Sequence, residues 1–125
     1  MFKIIVQACL VITMMFSLSA RAEDPMAPIV SKNCTPTEVA VIFNSRFHIK
    51  CRSPLRTGYY GEVNVYFFSL STNASVNVDY AMKLATEAIA SSKRLTLWVR
   101  TSPSYNPNGC KSNNCRKLTG VTLLD

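Results

Sequence analysis

The chain has 125 residues, with 14 Lys and Arg against 7 Asp and Glu, a formal net charge of +7, one histidine and five cysteines. It carries no internal repeat and no low-complexity stretch, and its length is enough for one domain with one modest core. The positive balance favours acidic surfaces such as sialylated glycans, lipid headgroups or nucleic acid, and does not choose among them.

The first residues read as a secretory signal. Lys3 gives a positive start, Ile4 to Ser19 is uncharged and largely apolar, and Ala20-Arg21-Ala22 ends in the small residues that signal peptidase needs. The expected division is a signal peptide over 1–22 and a single domain over 23–125. The apolar run is short for a membrane span and is diluted by Gln7 and Thr13, so no span is expected. Cys9 sits too early to mark a lipoprotein. Removing Lys3 and Arg21 leaves 12 basic and 7 acidic residues, a net charge of +5. The compartment expected is periplasmic or extracellular.

Four cysteines follow the cut: Cys34, Cys51, Cys110 and Cys115. An even count in a small exported chain reads as two disulfides. Of the three pairings available, Cys34–Cys51 with Cys110–Cys115 is favoured, the second closing a short loop of turn formers, Lys111-Ser112-Asn113-Asn114. With one histidine and no CxxC knuckle, a zinc site is not expected.

In chain order, Glu23 to Lys32 has two prolines and no period, and reads as a loose arm. Val39 to Phe43 is a β-branched strand. Arg46 to Arg52 alternates, with Phe47, Ile49 and Cys51 facing inward and Arg46, His48, Lys50 and Arg52 forming a basic outer face. Ser53 to Gly61 is a loop carrying Tyr59 and Tyr60. Glu62 to Ser71 is a third strand, with Val63, Val65, Phe67 and Ser69 on one face.

The period then becomes helical. Asp79 to Ser92 places Ala81, Leu84, Ala85, Ala88 and Ile89 on one stripe, with Asn77 or Asp79 as the cap. Arg94 to Thr101 alternates again, with Leu95, Leu97 and Val99 inward and Trp98 and Arg100 outward. Ser102 to Gly109 is a turn-rich loop, and Lys117 to Leu124 is the last strand. The order β-β-β-α-β-β predicts a mainly β domain with one helix: a five-stranded, OB-fold-like small barrel, closed to hide its edges.

Catalytic signals are sparse. His48 lies among basic residues with no carboxylate beside it in sequence, and reads as a surface histidine on a strand. There is no phosphate-binding glycine loop and no HExxH motif. Binding is therefore expected rather than enzymatic turnover, with no metal and no cofactor. Two clusters of hydroxyl and amide groups are candidate sugar contacts: Thr35, Thr37 and Ser45, and the loop residues Ser102, Tyr105 and Asn106. The Arg46–Arg56 stretch, with Phe47, Tyr59 and Tyr60, has the interleaving of a nucleic-acid stacking platform, but export argues against a nucleic-acid partner.

From Tyr80 to Cys115 the chain runs YAMKLATEAIASSKRLTLWVRT, then SPSYNPNG, then a closely spaced cysteine pair. In this it resembles the small OB-fold binding subunits of AB-type bacterial toxins, chiefly the pertussis, subtilase and typhoid toxin group. It departs from them in having a whole strand between Cys51 and the helix, and a further strand after Cys115. The resemblance implies a homo-pentamer with the helices around a pore, a catalytic A subunit as partner, and a glycan or glycoprotein receptor recognised near Thr35, Thr37, Ser45 and Tyr105. The competing expectation is a monomeric periplasmic OB-fold protein with a structural, stress or inhibitory binding role.

Overall fold

The structure is a computed structural model, and it describes residues 28–59 and 64–125. The signal segment 1–22, Tyr60 and the first two residues of the expected third strand lie outside that range. The described chain is mainly β with one helix. Its strands are β1 (Ile29–Cys34), β2 (Pro36–Ile42), β3 (Arg46–Leu55), β4 (Val65–Ser71), β5 (Arg94–Arg100) and β6 (Cys115–Leu124), with helix α1 (Ser75–Ala90) between β4 and β5.

The six strands form one mixed sheet in the order β1-β5-β6-β4-β3-β2. All neighbours are antiparallel except β4 and β6, which run parallel through Phe67 to Ser69 and Cys115 to Lys117. The expected count of five strands is thus corrected to six, and the hydrogen-bonded ladder is not a closed barrel, because the outer strands β1 and β2 do not pair with each other. Even so, only Thr35 separates them in sequence. The Cys34–Cys51 disulfide also ties β1 to β3, with Cα atoms 5.4 Å apart. The sheet therefore curls until its two margins meet at Thr35.

The described end of the expected arm, Ile29 to Lys32, is the first part of strand β1. Its residues Ile29 to Cys34 pair in register with Arg100 to Leu95. The segment shows no clear alternation because only Val30 and Cys34 turn toward the core while Lys32 occupies the position between them. It is the β5 backbone, supplying donors and acceptors that β1 must satisfy, that makes it a strand.

The face assignments for β3 and β5 hold: Phe47, Ile49, Cys51, Leu95, Leu97 and Val99 are all buried in one core cluster with Phe68, Leu70 and Leu118. In β4 the expected face is partly inverted. Val65 joins the core, but so do Phe68 and Leu70, while Phe67 and Ser69 turn to the opposite side of the sheet. The run Tyr66-Phe67-Phe68 is apolar in both parities, so alternation alone cannot choose, and a register irregularity between Lys50 and Leu55 on β3 resets the parity against Val65.

Helix α1 starts four residues earlier than expected. Its N-cap is Ala74, with no side-chain cap, so neither Asn77 nor Asp79 serves as the cap. Val78, Ala81, Ala85 and Ala88 face the core. Three alanines let the helix axis lie close to the sheet. Leu84 is only partly buried, and Ile89 is exposed rather than inward. On β5, the outward Trp98 lies on Gly120, its register partner across the sheet, where an added Cβ would come within 3.2 Å of the ring.

Both disulfides take the favoured pairing. They close loops with sequence separations of 17 and 5 residues. On the chain-entropy account the first stabilises by about 3 kcal/mol and the second by about 2.

Candidate binding site

The curled sheet brings the β2–β3 hairpin against the loop that joins β5 to β6. The hairpin turns through Phe43, Asn44 and Ser45, closed by the Ser45 amide donating to the Ile42 carbonyl at 3.1 Å. Asn44 takes the left-handed conformation at φ 56°, which asparagine tolerates better than most residues. Ser45 Oγ then donates to the Asn108 carbonyl, 3.2 Å away and 63 residues on. Beside this contact Gly109 also has positive φ, at 80°, and a side chain there would collide with the Arg46 guanidinium.

Between hairpin and loop lies a cavity of about 310 Å³ lined by Glu38, Arg46, His48, Phe67, Gly109, Lys111, Asn114 and Cys115. His48 is only 7 % exposed, which corrects its reading as a surface residue. Its Nε2 sits 2.8 Å from Glu38 Oε1, and its ring meets Phe67 edge-on with centroids 5.0 Å apart. The Lys50 ammonium lies over the same Phe67 ring, 5.7 Å from its centroid. The carboxylate that sequence proximity failed to supply comes from the neighbouring strand: Ala40 is the register partner of His48, and Glu38 is its diagonal neighbour. The signal was present in the hairpin, since a turn at 43–45 fixes that register.

The loop itself is held by polar contacts. Arg116, fully buried, donates from Nε to the Thr101 carbonyl at 2.9 Å and from Nη1 to the carbonyls of Ser112 (2.6 Å) and Cys115 (2.7 Å). Asn106 Nδ2 donates to the Cys110 and Cys115 carbonyls at 3.3 and 2.9 Å, while its Oδ1 is buried with no hydrogen bond. Ser102 caps the short 3-10 turn Pro103–Tyr105, its Oγ accepting from the Ser104 amide at 3.3 Å and hydrogen-bonded to the Ser104 hydroxyl at 2.8 Å. Arg100 stacks over the Tyr105 ring, 4.6 Å from its centroid, and covers one of its faces.

The expected contact residues therefore divide into three groups. Thr35 and Thr37 line a separate cavity of about 370 Å³ with Pro36, Arg52, Ala88, Ile89, Ser92 and Lys93, at the C-terminal end of α1. Thr37 Oγ1 donates to the Lys50 carbonyl at 3.4 Å. Ser45 stands beyond the far end of β2, about 17 Å from Thr37 at the rise of an extended chain. Thr35 and Thr37 therefore cannot share one small ligand with Ser45. Ser102, Tyr105 and Asn106 shape the loop behind the hairpin cavity. Sequence reasoning missed the residues that line that cavity: Glu38, Arg46, His48, Phe67, Lys111 and Asn114. Phe47, buried in the core, is unavailable for stacking on bases, which removes one of the aromatic residues whose interleaving with basic ones had the look of a nucleic-acid platform.

Among the described residues, no group of three or more His, Cys, Asp or Glu side chains is arranged to hold a metal ion, and no helix is long and apolar enough to cross a membrane. No family model, curated protein or solved structure matches the chain.

Proposed function

We propose that this chain is an exported carbohydrate-binding protein, and that the cavity between the β2–β3 hairpin and the disulfide-closed loop takes the sugar. The observation that carries this reading is the composition of that cavity. An aromatic wall, Phe67, is ringed by the side chains of Arg46, Lys111, Asn114 and Glu38. A pyranose needs such a mixture: apolar C–H faces pack on the ring while hydroxyls exchange hydrogen bonds with charged and amide groups. Two disulfides agree with an oxidising compartment and hence with export. The site binds rather than turns over its ligand.

On this reading β1 and β2 are the two halves of one strand bent at Thr35. The order of five ribbons and one helix then becomes that of an OB-fold, the architecture of the toxin B subunits that the 80–115 segment resembles. That kinship carries with it a ring of five copies and a catalytic partner subunit.

The test is retention on an immobilised glycan panel, compared between the parent protein and a Lys111→Ala/Asn114→Ala variant, with native mass measurement of the assembly. Selective retention of the parent, lost in the variant, supports the site. A parent that ignores every glycan overturns the carbohydrate reading, and a monomeric mass overturns the five-membered ring in favour of a monomeric binding protein of the same fold.

A further inference from the structure

The β2–β3 hairpin ends in three consecutive apolar residues. Phe43, at the corner of the turn, is 87 % exposed, and Val41 and Ile42 are each 39 % exposed. The base of this tip is braced on both sides: Ser45 Oγ reaches the Asn108 carbonyl, and the Thr72 amide donates to the Ser45 carbonyl at 3.3 Å. Asn44 is the only polar residue between Phe43 and that brace. Turn corners ordinarily carry Gly, Asn, Asp or Ser, because a large apolar ring held in water there loses the hydrophobic stabilisation that burial would give. Among the other described phenylalanines, Phe47 and Phe68 are buried and Phe67 is half-buried in the wall of the adjoining cavity, whereas Phe43 is held out.

The surroundings of the tip are cationic. Arg46 is the register partner of Ile42. Lys111 lines the adjoining cavity with Arg46, and Lys50 lies on the same side of β3 over Phe67. Against these three cations, Glu38 is the one carboxylate among the cavity's lining residues, and it is engaged with His48. The apolar point is convex. A bilayer interface deforms around a protruding side chain and places its phosphates at the level of flanking Lys and Arg.

We propose that the hairpin tip is a membrane-docking wedge: Phe43 with Ile42 and Val41 enters the interfacial region of an anionic lipid bilayer while Arg46, Lys50 and Lys111 meet its headgroup phosphates. The contact is peripheral and does not span the membrane. It stands whether or not the neighbouring cavity takes a sugar.

The test uses the full chain and vesicles of phosphatidylcholine, either pure or with roughly a quarter phosphatidylglycerol, so that the surface carries the negative potential that attracts basic residues. Phe43→Ser removes the wedge and leaves the brace. Its binding to the anionic vesicles is expected to fall roughly tenfold or more against the parent, the loss that follows from no longer burying one aromatic side chain. Since the two chains share every other residue, the difference reports the tip alone. In a second variant, Phe43→Trp, the indole emission is expected to shift to the blue on anionic vesicles and much less on neutral ones. Equal binding of parent and Phe43→Ser, an unshifted Phe43→Trp emission, or an equal shift on both vesicle types overturns the proposal. So does a dimer in lipid-free solution that Phe43→Ser dissolves, since the tip would then be an interface between copies.

Discussion

Two regions of this molecule are held together by different physics. Between the curled sheet and α1, contacts are apolar: Phe47, Ile49, Phe68, Leu95, Leu97, Val99 and Leu118 are almost completely buried, with Ala81, Ala85 and Ala88 of the helix above them. The 101–115 segment, which walls the candidate site, has little apolar material of its own. It is shaped by one buried guanidinium, one asparagine amide and one short disulfide. Burial is non-directional and cooperative, so the first region determines whether the chain folds. Hydrogen bonds are directional, so the second determines where the Lys111 and Asn114 side chains stand once it has folded.

The contrast is broken most severely from the core side. Phe68→Ala removes a fully buried ring at the centre of the sheet and is expected to cost about 3–5 kcal/mol of global stability. Denaturant melts should show it as a lower midpoint with the slope unchanged, and hydrogen exchange should accelerate across all strands together. A loss confined to β4 would mean that the sheet is not one cooperative unit.

Arg116→Met sharpens the comparison, because it keeps much of the side-chain volume but strips the donors from three carbonyls, those of Thr101 and Cys115 at buried positions and that of Ser112 at an exposed one. The expected cost is about 2–4 kcal/mol, the penalty for leaving such acceptors unpaired. Its signature should be local. Amides of 101–115 are expected to exchange faster than those of β3 and β5, and retention on glycan should suffer more than melting does. Uniform acceleration would place Arg116 in the same cooperative unit as the apolar core.

The smallest effect is expected at Gly109. Gly109→Ala forces a Cβ into the left-handed region and against the Arg46 guanidinium, at roughly 1–2 kcal/mol. Thermal melting should change little, while any ligand that uses Arg46 is lost as that side chain is displaced. Retained binding would show that Arg46 does not contact the ligand.

How much of this was legible in the sequence depends on the kind of signal each residue carries. Strict alternation named the inward residues of β3 and β5, and the shift to helical spacing named three of the four residues that α1 buries. The segment 29–34 gave no such pattern, since its strand character comes from pairing with β5. In β4, apolar residues at both parities left the face undecided until the irregularity opposite Lys50 and Leu55 reset it. His48 was visible, yet its environment was not: the carboxylate that meets it lies ten residues away and across a hairpin. The individually flagged polar residues Ser102 and Asn106 proved to serve the loop's own geometry, because hydroxyls and amides in tight turns are drawn first to nearby backbone groups.

Local chemistry therefore determined the elements, the inward sides of the regular strands, and a cysteine set suited to two bridges, because each depends on spacing along the chain. The tertiary structure alone decided that Thr35 is where the two margins of the sheet meet, that Phe67 faces His48 rather than the core, and that the hairpin leans on the Asn108 loop. Those outcomes depend on strand register and sheet curvature, which arise only when residues far apart in sequence compete for the same backbone partners.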